Sequence, residues 1–208
     1  MEAEKITVGL MKSNVYIVYD PKTMKGIIID AGGDGKKILN QVYQLGVHVE
    51  YLILTHGHID HISAIENIKE KLDPKVIIHK DDKDFLYDPA LNLSARYAHT
   101  PLIYSKDIDY ILQKDETLNL AGADFEFIHT PGHTPGSICI KTENMLFTGD
   151  TLFNGSIGAD IPPKGDLQTE LVSIKGKLFK LNDDLVCYPG HGAQTTLGYE
   201  KSNNPYIY

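Results

Sequence analysis

Five of the nine histidines in this 208-residue chain occur in three short segments that share one local pattern. The segments are 55–61 (THGHIDH), 130–133 (TPGH) and 189–192 (PGHG); each contains glycine and follows an apolar, strand-like run. A fourth segment, 147–150 (FTGD), ends a similar run in an aspartate. Ligand sites gather beyond the ends of strands, and imidazole and carboxylate groups are ligands of divalent transition metals. The pattern therefore predicts a metal site built from these loops.

The spacing inside 55–61 indicates how its side chains point. Residues two apart lie on the same side of an extended chain but on opposite sides of a helix. His56, His58 and Asp60 can therefore converge only if this stretch is a strand extension or a loop, which excludes the helical two-histidine zinc motif. His61, next to Asp60, points elsewhere and can serve a second centre. Two metal ions explain this spacing better than one.

Taken singly, the other residues have plainer interpretations. A lone His133 or His191 is more often a turn or core histidine, and Asp150 could be a helix N-cap. Their recurrence beside glycines at strand ends favours a joint metal site. Asp30, at another strand end, is either an acceptor that orients a ligand histidine or a turn residue. His79, which opens a charged run, is predicted to lie at the surface.

Alternating strand and helix patterns surround these segments. The first thirty residues predict an antiparallel meander, 34–46 an amphipathic helix that ends at a glycine, and 51–55 a strand covered on both faces. Residues 88–114 are irregular and predict either a lid or substrate-facing segment, or a plain surface excursion. Strand patterns return from 117, and a further helix is predicted over 166–181. Without a visible linker, the pattern predicts one α/β domain spanning 1–208.

Composition excludes several classes of protein. Hydrophobic residues make up 42% and charged residues 23%, which is typical of a globular chain. The net charge of -8 disfavours a nucleic-acid partner. The N-terminus has no signal-peptide pattern and no run reaches the length of a membrane span, so we expect a cytoplasmic protein without a membrane partner. Cys139 and Cys187 lie in apolar runs and are predicted to be buried thiols.

Four motifs in this order, over nearly the whole chain, resemble those of the metallo-β-lactamase-fold hydrolases, and most closely their short glyoxalase II-like members. The motifs are HxHxDH at 56–61, TPGHTPGS at 130–137, FTGDTLF at 147–153 and PGHG at 189–192. The resemblance implies a four-layer αββα sandwich with the site at one edge, between two sheets. It also implies one metal ion held by His56, His58 and His133, a second held by Asp60, His61 and His191, and Asp150 bridging both.

The ligand count suits catalytic metal. With Asp150 shared, each ion receives four protein ligands, and one shared hydroxide would bring each to five, a number compatible with catalytic zinc. Two divalent ions are therefore the expected cofactors, with zinc preferred and iron or manganese possible. The positive charge that the two carboxylates leave unbalanced would deprotonate a bound water near neutral pH. Asp60 and Asp150 are the expected catalytic residues.

The implied activity is metal-dependent hydrolysis of a small-molecule thioester, as in hydroxyacylglutathione hydrolases, by a hydroxide that bridges the two ions. A thiol of ordinary pKa, about 8.5, leaves as thiolate without a general acid. The alternatives are a mononuclear-iron persulfide dioxygenase using His56, His133 and Asp150, and a lactone or ester hydrolase of the same fold. The acid at 150 disfavours a β-lactamase, and the absence of cysteine from the ligand set disfavours a non-enzymatic zinc module.

One departure from the family pattern concerns the thiol carrier. Ala159 and Ile161 stand where the glutathione-dependent members carry Lys or Arg and Tyr. The chain also continues only to Tyr208 after the PGHG motif, without the helical extension that supplies further glutathione contacts, and Arg96 is its only arginine. We therefore expect weak or absent preference for glutathione thioesters over simpler ones.

Overall fold

The first of two six-stranded sheets uses strands in chain order. In the computed structural model, which describes residues 1–161 and 163–207, its strands are β1 (Glu2–Val8), β2 (Ser13–Tyr19), β3 (Lys25–Ile29), β4 (His48–Ile53), β5 (Lys75–His79) and β6 (Tyr110–Leu112). β1, β2 and β3 pair antiparallel, as the predicted meander requires, whereas β3, β4, β5 and β6 pair parallel. Parallel pairing brings the carboxyl ends of β3, β4 and β5 to the same edge of the sheet.

The second sheet has the order β14-β13-β10-β9-β8-β7. Its strands are β7 (Glu116–Leu120), β8 (Ala123–His129), β9 (Ile138–Thr142), β10 (Met145–Gly149), β13 (Val186–Pro189) and β14 (Thr195–Thr196), and a separate hairpin joins β11 (Leu152–Phe153) to β12 (Ser156–Ile157). Only β10 and β13 pair parallel in this sheet, so both strands end at the edge where the aspartate and histidine motifs follow them.

The α-helices are α1 (Gly35–Leu45), α2 (Ile59–Ile62), α3 (Ile65–Leu72), α4 (Ser94–Tyr97), α5 (Leu167–Gly176) and α6 (Leu197–Asn203). α1 and α3 pack on the outer face of the first sheet, where Ile38 and Ile65 join its core. α5 and α6 cover the outer face of the second sheet through Ile174 and Leu197. α1 and α3 each bury an apolar stripe while the other face stays in water, as amphipathic spacing dictates.

The two sheets face each other across an apolar interior. Phe125, Phe127 and Phe147 of the second sheet pack with Tyr16 and Ile53 of the first. Alternate residues of β2 point into this interior and into the outer helical layer, which explains why the whole strand is buried. The layers therefore run helix, sheet, sheet, helix, and the predicted four-layer αββα sandwich is confirmed.

Some predicted boundaries are wrong, and each has a local cause. The strand predicted over 51–55 begins earlier, at His48, because it pairs with β3 from Lys25 onward. The helix predicted over 166–181 ends at Gly176, and a separate 3-10 turn follows it at Leu178–Lys180. Residues 88–114 contain the one-turn helix α4 and the short strand β6. Within the described part of the chain, none of the helices is long and apolar enough to span a membrane.

Two predictions about single side chains have opposite outcomes. Cys139 and Cys187 are both buried and unpaired, as their apolar surroundings predicted. His79, predicted at the surface, is buried and stacks on His129 with ring centroids 3.9 Å apart. The charged run begins only at Lys80, so His79 is still the last residue of a core strand.

Candidate metal centre

The motif loops leave neighbouring strands at one edge of the sandwich. Residues 54–58 follow β4, residues 130–137 follow β8, Asp150 follows β10, and Gly190 with His191 follow β13. The backbone links the two sheets here, because Asn14 N–H of β2 donates to Gly190 O at 2.6 Å. Loops distant in sequence therefore meet at a point where two sheets end.

His56, His58 and His133 form what we call the three-histidine group. One nitrogen of each ring lies within 4.8 Å of the others, and all three side chains are buried. The closest pair is Nδ1 of His58 and Nε2 of His133, at 2.9 Å. The His56 ring centroid lies 5.0 Å from that of His58 and 4.8 Å from that of His133. The three imidazoles thus surround one point.

Asp60, His61 and His191 form what we call the mixed group, whose ligand atoms also lie within 4.8 Å of one another. Nε2 of His191 lies 3.1 Å from Oδ2 of Asp60 and 3.4 Å from Nε2 of His61. The expected convergence of Asp60 with His56 and His58 is wrong, because α2 begins at Ile59, directly after His58. The helical turn carries Asp60 and His61 together toward His191.

The carboxylate of Asp150 lies between the two groups. Oδ1 is 3.3 Å from Nε2 of His61, while Oδ2 is 3.6 Å from Nε2 of His133 and 3.5 Å from Nε2 of His191. Asp150 also forms a compact set with His56 and His61. The structure therefore brings all seven side chains singled out from the sequence into one site, with Asp150 in contact with both halves.

The surroundings of two buried atoms in this site indicate whether its residues suit a cation. Nε2 of His56 is buried without a hydrogen-bond partner among the described residues, and Oδ1 of Asp150, also buried, has an ion-pair contact with Nε2 of His61 at 3.3 Å but no hydrogen bond there. A buried polar atom without a partner costs free energy. A divalent ion would accept lone pairs from both atoms and from the imidazole nitrogens facing them. The residues present therefore fit a metal ion.

Burial keeps the three-histidine group neutral. It lowers the pKa of His56 well below its usual value, and neighbouring imidazoles, His61 first, add to the effect. Burial and the His133 ring lower the pKa of His58 to about 3. Burial also lowers the pKa of His133. Neutral imidazole is the form that binds metals.

The imidazoles of the mixed group and the carboxylates of Asp60 and Asp150 favour each other's charged forms. Burial alone would raise the pKa of Asp60, but His61 and His191 outweigh it and the pKa is lowered. The pKa of Asp150 falls well below its usual value in the same way, against burial, through His61 and His191. Conversely, burial opposes a charge on His191, yet Asp150 and Asp60 raise its pKa to about 9. Carboxylates that hold protons on neighbouring imidazoles also attract a cation to the same place.

A match to a family model spans residues 8–191, and its description is the metallo-beta-lactamase superfamily. The chain belongs to this superfamily. Hydroxyacylglutathione hydrolase GloC of Haemophilus influenzae is 34% identical over 100% of this chain and 98% of its own length. The probable metallo-hydrolase YqgX of Bacillus subtilis is 32% identical over 100% of this chain and 98% of its own.

Two solved structures are similar to this chain over nearly their whole length. The crystal structure of BLEG-1 B3 metallo-beta-lactamase has a TM-score of 0.95 at 33% identity, covering 99% of each chain. The crystal structure of TTHA1623 in a di-iron-bound form has a TM-score of 0.85 at 30% identity, covering 98% of this chain and 99% of that one. The chain is therefore a metallo-beta-lactamase superfamily hydrolase whose His and Asp clusters suit divalent metal.

Behind the metallo-beta-lactamase motifs, other groups hold the imidazoles in place. Oδ2 of Asp30 lies 2.8 Å from Nδ1 of His61, and the same carboxylate accepts the Thr55 backbone N–H at 2.8 Å. Of the two interpretations of Asp30, the structure supports the one that orients a histidine. Nδ1 of His133 lies 2.9 Å from Ala159 O, which fixes that ring in turn.

Glycine permits the close approach of backbone to the site. A Cβ at Gly190 would lie 2.1 Å from Oδ1 of Asp150 and 2.8 Å from Cε1 of His61, and one at Gly32 would lie 1.8 Å from Asp60 O. Real Cβ atoms do not approach so closely, so no side chain fits at either position without moving the candidate ligands. Gly190 and Gly32 therefore serve this site as well as their turns.

A cavity of about 350 Å³ opens onto both groups. Apolar side chains form its wall, among them Met11, Leu93, Tyr97, Phe153 and Ile161. Leu93 and Tyr97 come from the irregular 88–114 segment, which therefore faces the site instead of being a plain surface excursion. Among the described residues that line this cavity there is no lysine or arginine.

Asp82 is a residue of this site that the sequence did not indicate. It is completely buried and accepts hydrogen bonds from the loops that carry His58 and His133. Its neighbours in the run 80–84 (KDDKD) are exposed. Charge pattern alone could not distinguish the buried acid from the exposed ones. The 3-10 helix at Lys80–Leu86, which turns one acid inward, was the missing information.

Proposed function

We propose that the chain hydrolyses thioesters with two divalent metal ions. One ion would be held by the three-histidine group and the other by the mixed group, and Asp150 would contact both. The observation that carries the proposal is the position of Asp150, 3.3 Å from a nitrogen of one group and 3.6 Å from a nitrogen of the other. Zinc is the preferred ion, and iron or manganese are alternatives that the same ligands accept.

Bound divalent ions polarise a carbonyl oxygen and acidify a water molecule. The protein's own residues arrange for that chemistry. The buried imidazoles offer neutral lone pairs, and the ionised Asp60 and Asp150 supply two of the four negative charges that a pair of divalent ions would require. The remaining positive charge would stabilise the oxyanion that develops when a carbonyl is attacked. Asp60 and Asp150 are on this basis the proposed catalytic residues.

The choice of a thioester follows from the leaving group. The carboxylates at the site have lowered pKa values and are poor proton donors. A thiol of ordinary pKa, about 8.5, can leave as thiolate without one, whereas an amine cannot. The name of the Haemophilus influenzae relative, a hydroxyacylglutathione hydrolase, supports the same class of substrate.

The proposal also concerns the thiol carrier, which is the leaving group of the thioester. Ala159 and Ile161 line the cavity at the positions where glutathione-dependent members present Lys or Arg and Tyr. An apolar wall gives the carboxylates of glutathione no partner. We therefore propose a small-molecule substrate with weak or absent preference for glutathione, and neither nucleic acid nor membrane as partner. A single domain and a cytoplasmic location belong to the same proposal; the unpaired cysteines suit a reducing compartment.

Metal analysis of protein purified without chelator, followed by a substrate panel, tests the proposal. We expect two metal ions per chain and hydrolysis of both glutathione and simple-thiol thioesters, abolished by chelator and restored by metal. Lactones and oxygen esters form the second arm of the panel. A fully metallated chain that hydrolyses none of these compounds would contradict the proposal. So would a chain that holds a single iron ion and consumes oxygen when a persulfide is the substrate.

Opening of a β-lactam ring is a second candidate activity. The likeness to BLEG-1 B3 metallo-beta-lactamase, with a TM-score of 0.95, favours it. A chromogenic β-lactam in the same panel distinguishes the two, because its leaving group is an amine nitrogen that needs a proton. Turnover of the β-lactam faster than every thioester would replace the first proposal by the second.

A further inference from the structure

Asp82 is the buried acid of the 3-10 helix at Lys80–Leu86, outside the seven candidate ligands. An unpaired buried carboxylate is costly, so its hydrogen-bond partners must compensate for the water it has lost. Those partners are therefore a guide to what the acid does in the fold.

The carboxylate of Asp82 joins two loops. Oδ2 accepts the backbone N–H of Gly57 at 2.8 Å and the hydroxyl of Thr134 at 2.7 Å. Oδ1 accepts the backbone N–H of Gly136 at 2.6 Å. Gly57 belongs to the loop after β4, and Thr134 and Gly136 belong to the loop after β8. The side chain of Asp82 thus holds both loops through hydrogen bonds.

Both loops carry members of the three-histidine group at adjacent positions. Gly57 stands between His56 and His58, and Thr134 follows His133 directly. Nδ1 of His58 and Nε2 of His133, which these loops bring face to face, lie 2.9 Å apart. Asp82 hydrogen-bonds none of the members of the mixed group in the described structure. Its influence is therefore directed at one half of the site.

Glycine makes these contacts possible on both sides. A Cβ at Gly57 would lie 2.3 Å from Cβ of Phe85, and a Cβ at Gly136 would lie 2.7 Å from Cβ of Asp82. The 3-10 helix therefore packs directly against the backbone of both loops. A shift of Asp82 cannot be absorbed by loose packing and must move the loops.

We infer that Asp82 is a positioning residue, which holds His58 and His133 at the separation that one metal ion needs. The inference rests on the proposed metal centre. Asp82 contacts neither substrate nor metal in this role; it acts through the backbone at Gly57 and Gly136. Supports of this kind typically contribute ten- to hundredfold to metal affinity.

Asparagine is the sharpest substitution at this position, because it keeps the size of the side chain. Three donors point at the carboxylate, and an amide offers only one acceptor oxygen. In D82N, at least one N–H or O–H of the two loops would face the amide NH2 without an acceptor. D84N, an exposed acid of the same 3-10 helix, is the matched control.

The experiment measures zinc affinity by competition with a chromophoric chelator in two backgrounds. H191A disables the mixed group and leaves the three-histidine group, and H58A does the reverse. We expect D82N to weaken zinc binding by roughly ten- to hundredfold in the H191A background. In the H58A background it should leave binding within about twofold, and D84N should change neither.

Unchanged affinity in the H191A background would overturn the inference, and so would an equal loss in both backgrounds, which would indicate general destabilisation. If D82N does not fold, the zinc affinities of T134V and T134S are compared instead. Valine removes the hydroxyl that donates to Asp82, whereas serine keeps it. Weaker zinc binding by T134V than by T134S supports the role, and equal binding overturns it. If the wild-type chain binds no zinc, the proposed metal centre itself is overturned. If the wild-type chain binds zinc and D82N binds it equally well, only the role of Asp82 is overturned.

Discussion

Asp30 and His61 are joined across the end of the first sheet, with Oδ2 of the acid 2.8 Å from Nδ1 of the imidazole. The contact leaves Nε2 of His61 facing Asp150 at 3.3 Å. Asp30 also accepts hydrogen bonds from the N–H and the hydroxyl of Thr55, both at 2.8 Å, so its own position is fixed. One acid therefore sets both the tautomer and the direction of a candidate ligand.

Replacing Asp30 should weaken metal binding without removing a ligand. In D30N the amide cannot accept from Thr55 and His61 as the carboxylate does, so the His61 ring loses its fixed direction. We expect metal affinity to fall by about ten- to hundredfold, measured by chelator competition. D124N, an exposed acid of the β7–β8 hairpin, is the control. Equal affinities of D30N and D124N would contradict the role of Asp30.

Asp150 should be more sensitive than any supporting residue, since it faces both groups. We expect D150A to abolish measurable thioester hydrolysis and to lower metal content, with a loss above about a hundredfold in kcat/KM. D184A, which removes an exposed carboxylate, should match wild type. Metal content is measured in the same samples by elemental analysis. Wild-type activity in D150A would rule out the assignment of two ions.

Gly57 should not tolerate a methyl group. Its Cβ would lie 2.3 Å from Cβ of Phe85, and overpacking of this kind costs about 1 to 3 kcal/mol. Gly176, in helix α5, has nothing within 4 Å of its Cβ position, so G176A should be neutral or stabilise by up to about 1 kcal/mol. Urea unfolding measures both variants. The prediction fails if G57A is as stable as G176A.

Glu170 should make the folded state less stable as pH rises. Burial raises the pKa of Glu170 from 4.5 to about 8, against the hydrogen bond from Gly158 N–H and with help from the charge on Asp150. The folded chain therefore keeps a proton that the unfolded chain releases above about pH 4.5. The contribution of protonated Glu170 to the free energy of unfolding is therefore complete below about pH 4.5 and is lost as pH rises toward 8. The loss is at most about 1.4 kcal/mol per pH unit.

Glutamine at position 170 isolates this effect, because it stays neutral and can still accept from Gly158. Urea unfolding of wild type and E170Q at pH 5, 6, 7 and 8 should give curves that diverge, with E170Q relatively more stable at the higher values. Parallel curves across the whole range would contradict the raised pKa.

A cation introduced into the cavity should create preference for an anionic thiol carrier. I161R places a guanidinium in the apolar wall, and a partly exposed ion pair of this kind contributes about 0.2 to 1 kcal/mol. We expect KM for a glutathione thioester to fall by about two- to fivefold relative to a neutral thioester. I161L is the control for shape. A strong requirement for glutathione in the wild-type chain would contradict the weak glutathione preference on which this prediction rests.

Much of the site could be predicted from the sequence because metal chemistry restricts residue types. Histidine and aspartate beside glycine at strand ends identified all seven residues that the structure brings together. The order of the motifs indicated the family and, through it, the four-layer sandwich. The division into two groups, however, came only from the family resemblance. Side-chain alternation along 56–60 gave a different grouping, because it assumed an extended chain.

Tertiary structure decided what local pattern does not encode. The helical turn at Ile59–Ile62 sends Asp60 to His191, and the fold buries His79 and Asp82 while leaving Lys80 and Asp84 in water. Burial depends on which chain segments pack on a residue, and those segments are distant in sequence. Residue types and their spacing therefore determined which atoms could bind a metal. Packing of the two sheets and their loops alone determined which atoms meet and which buried acid supports them.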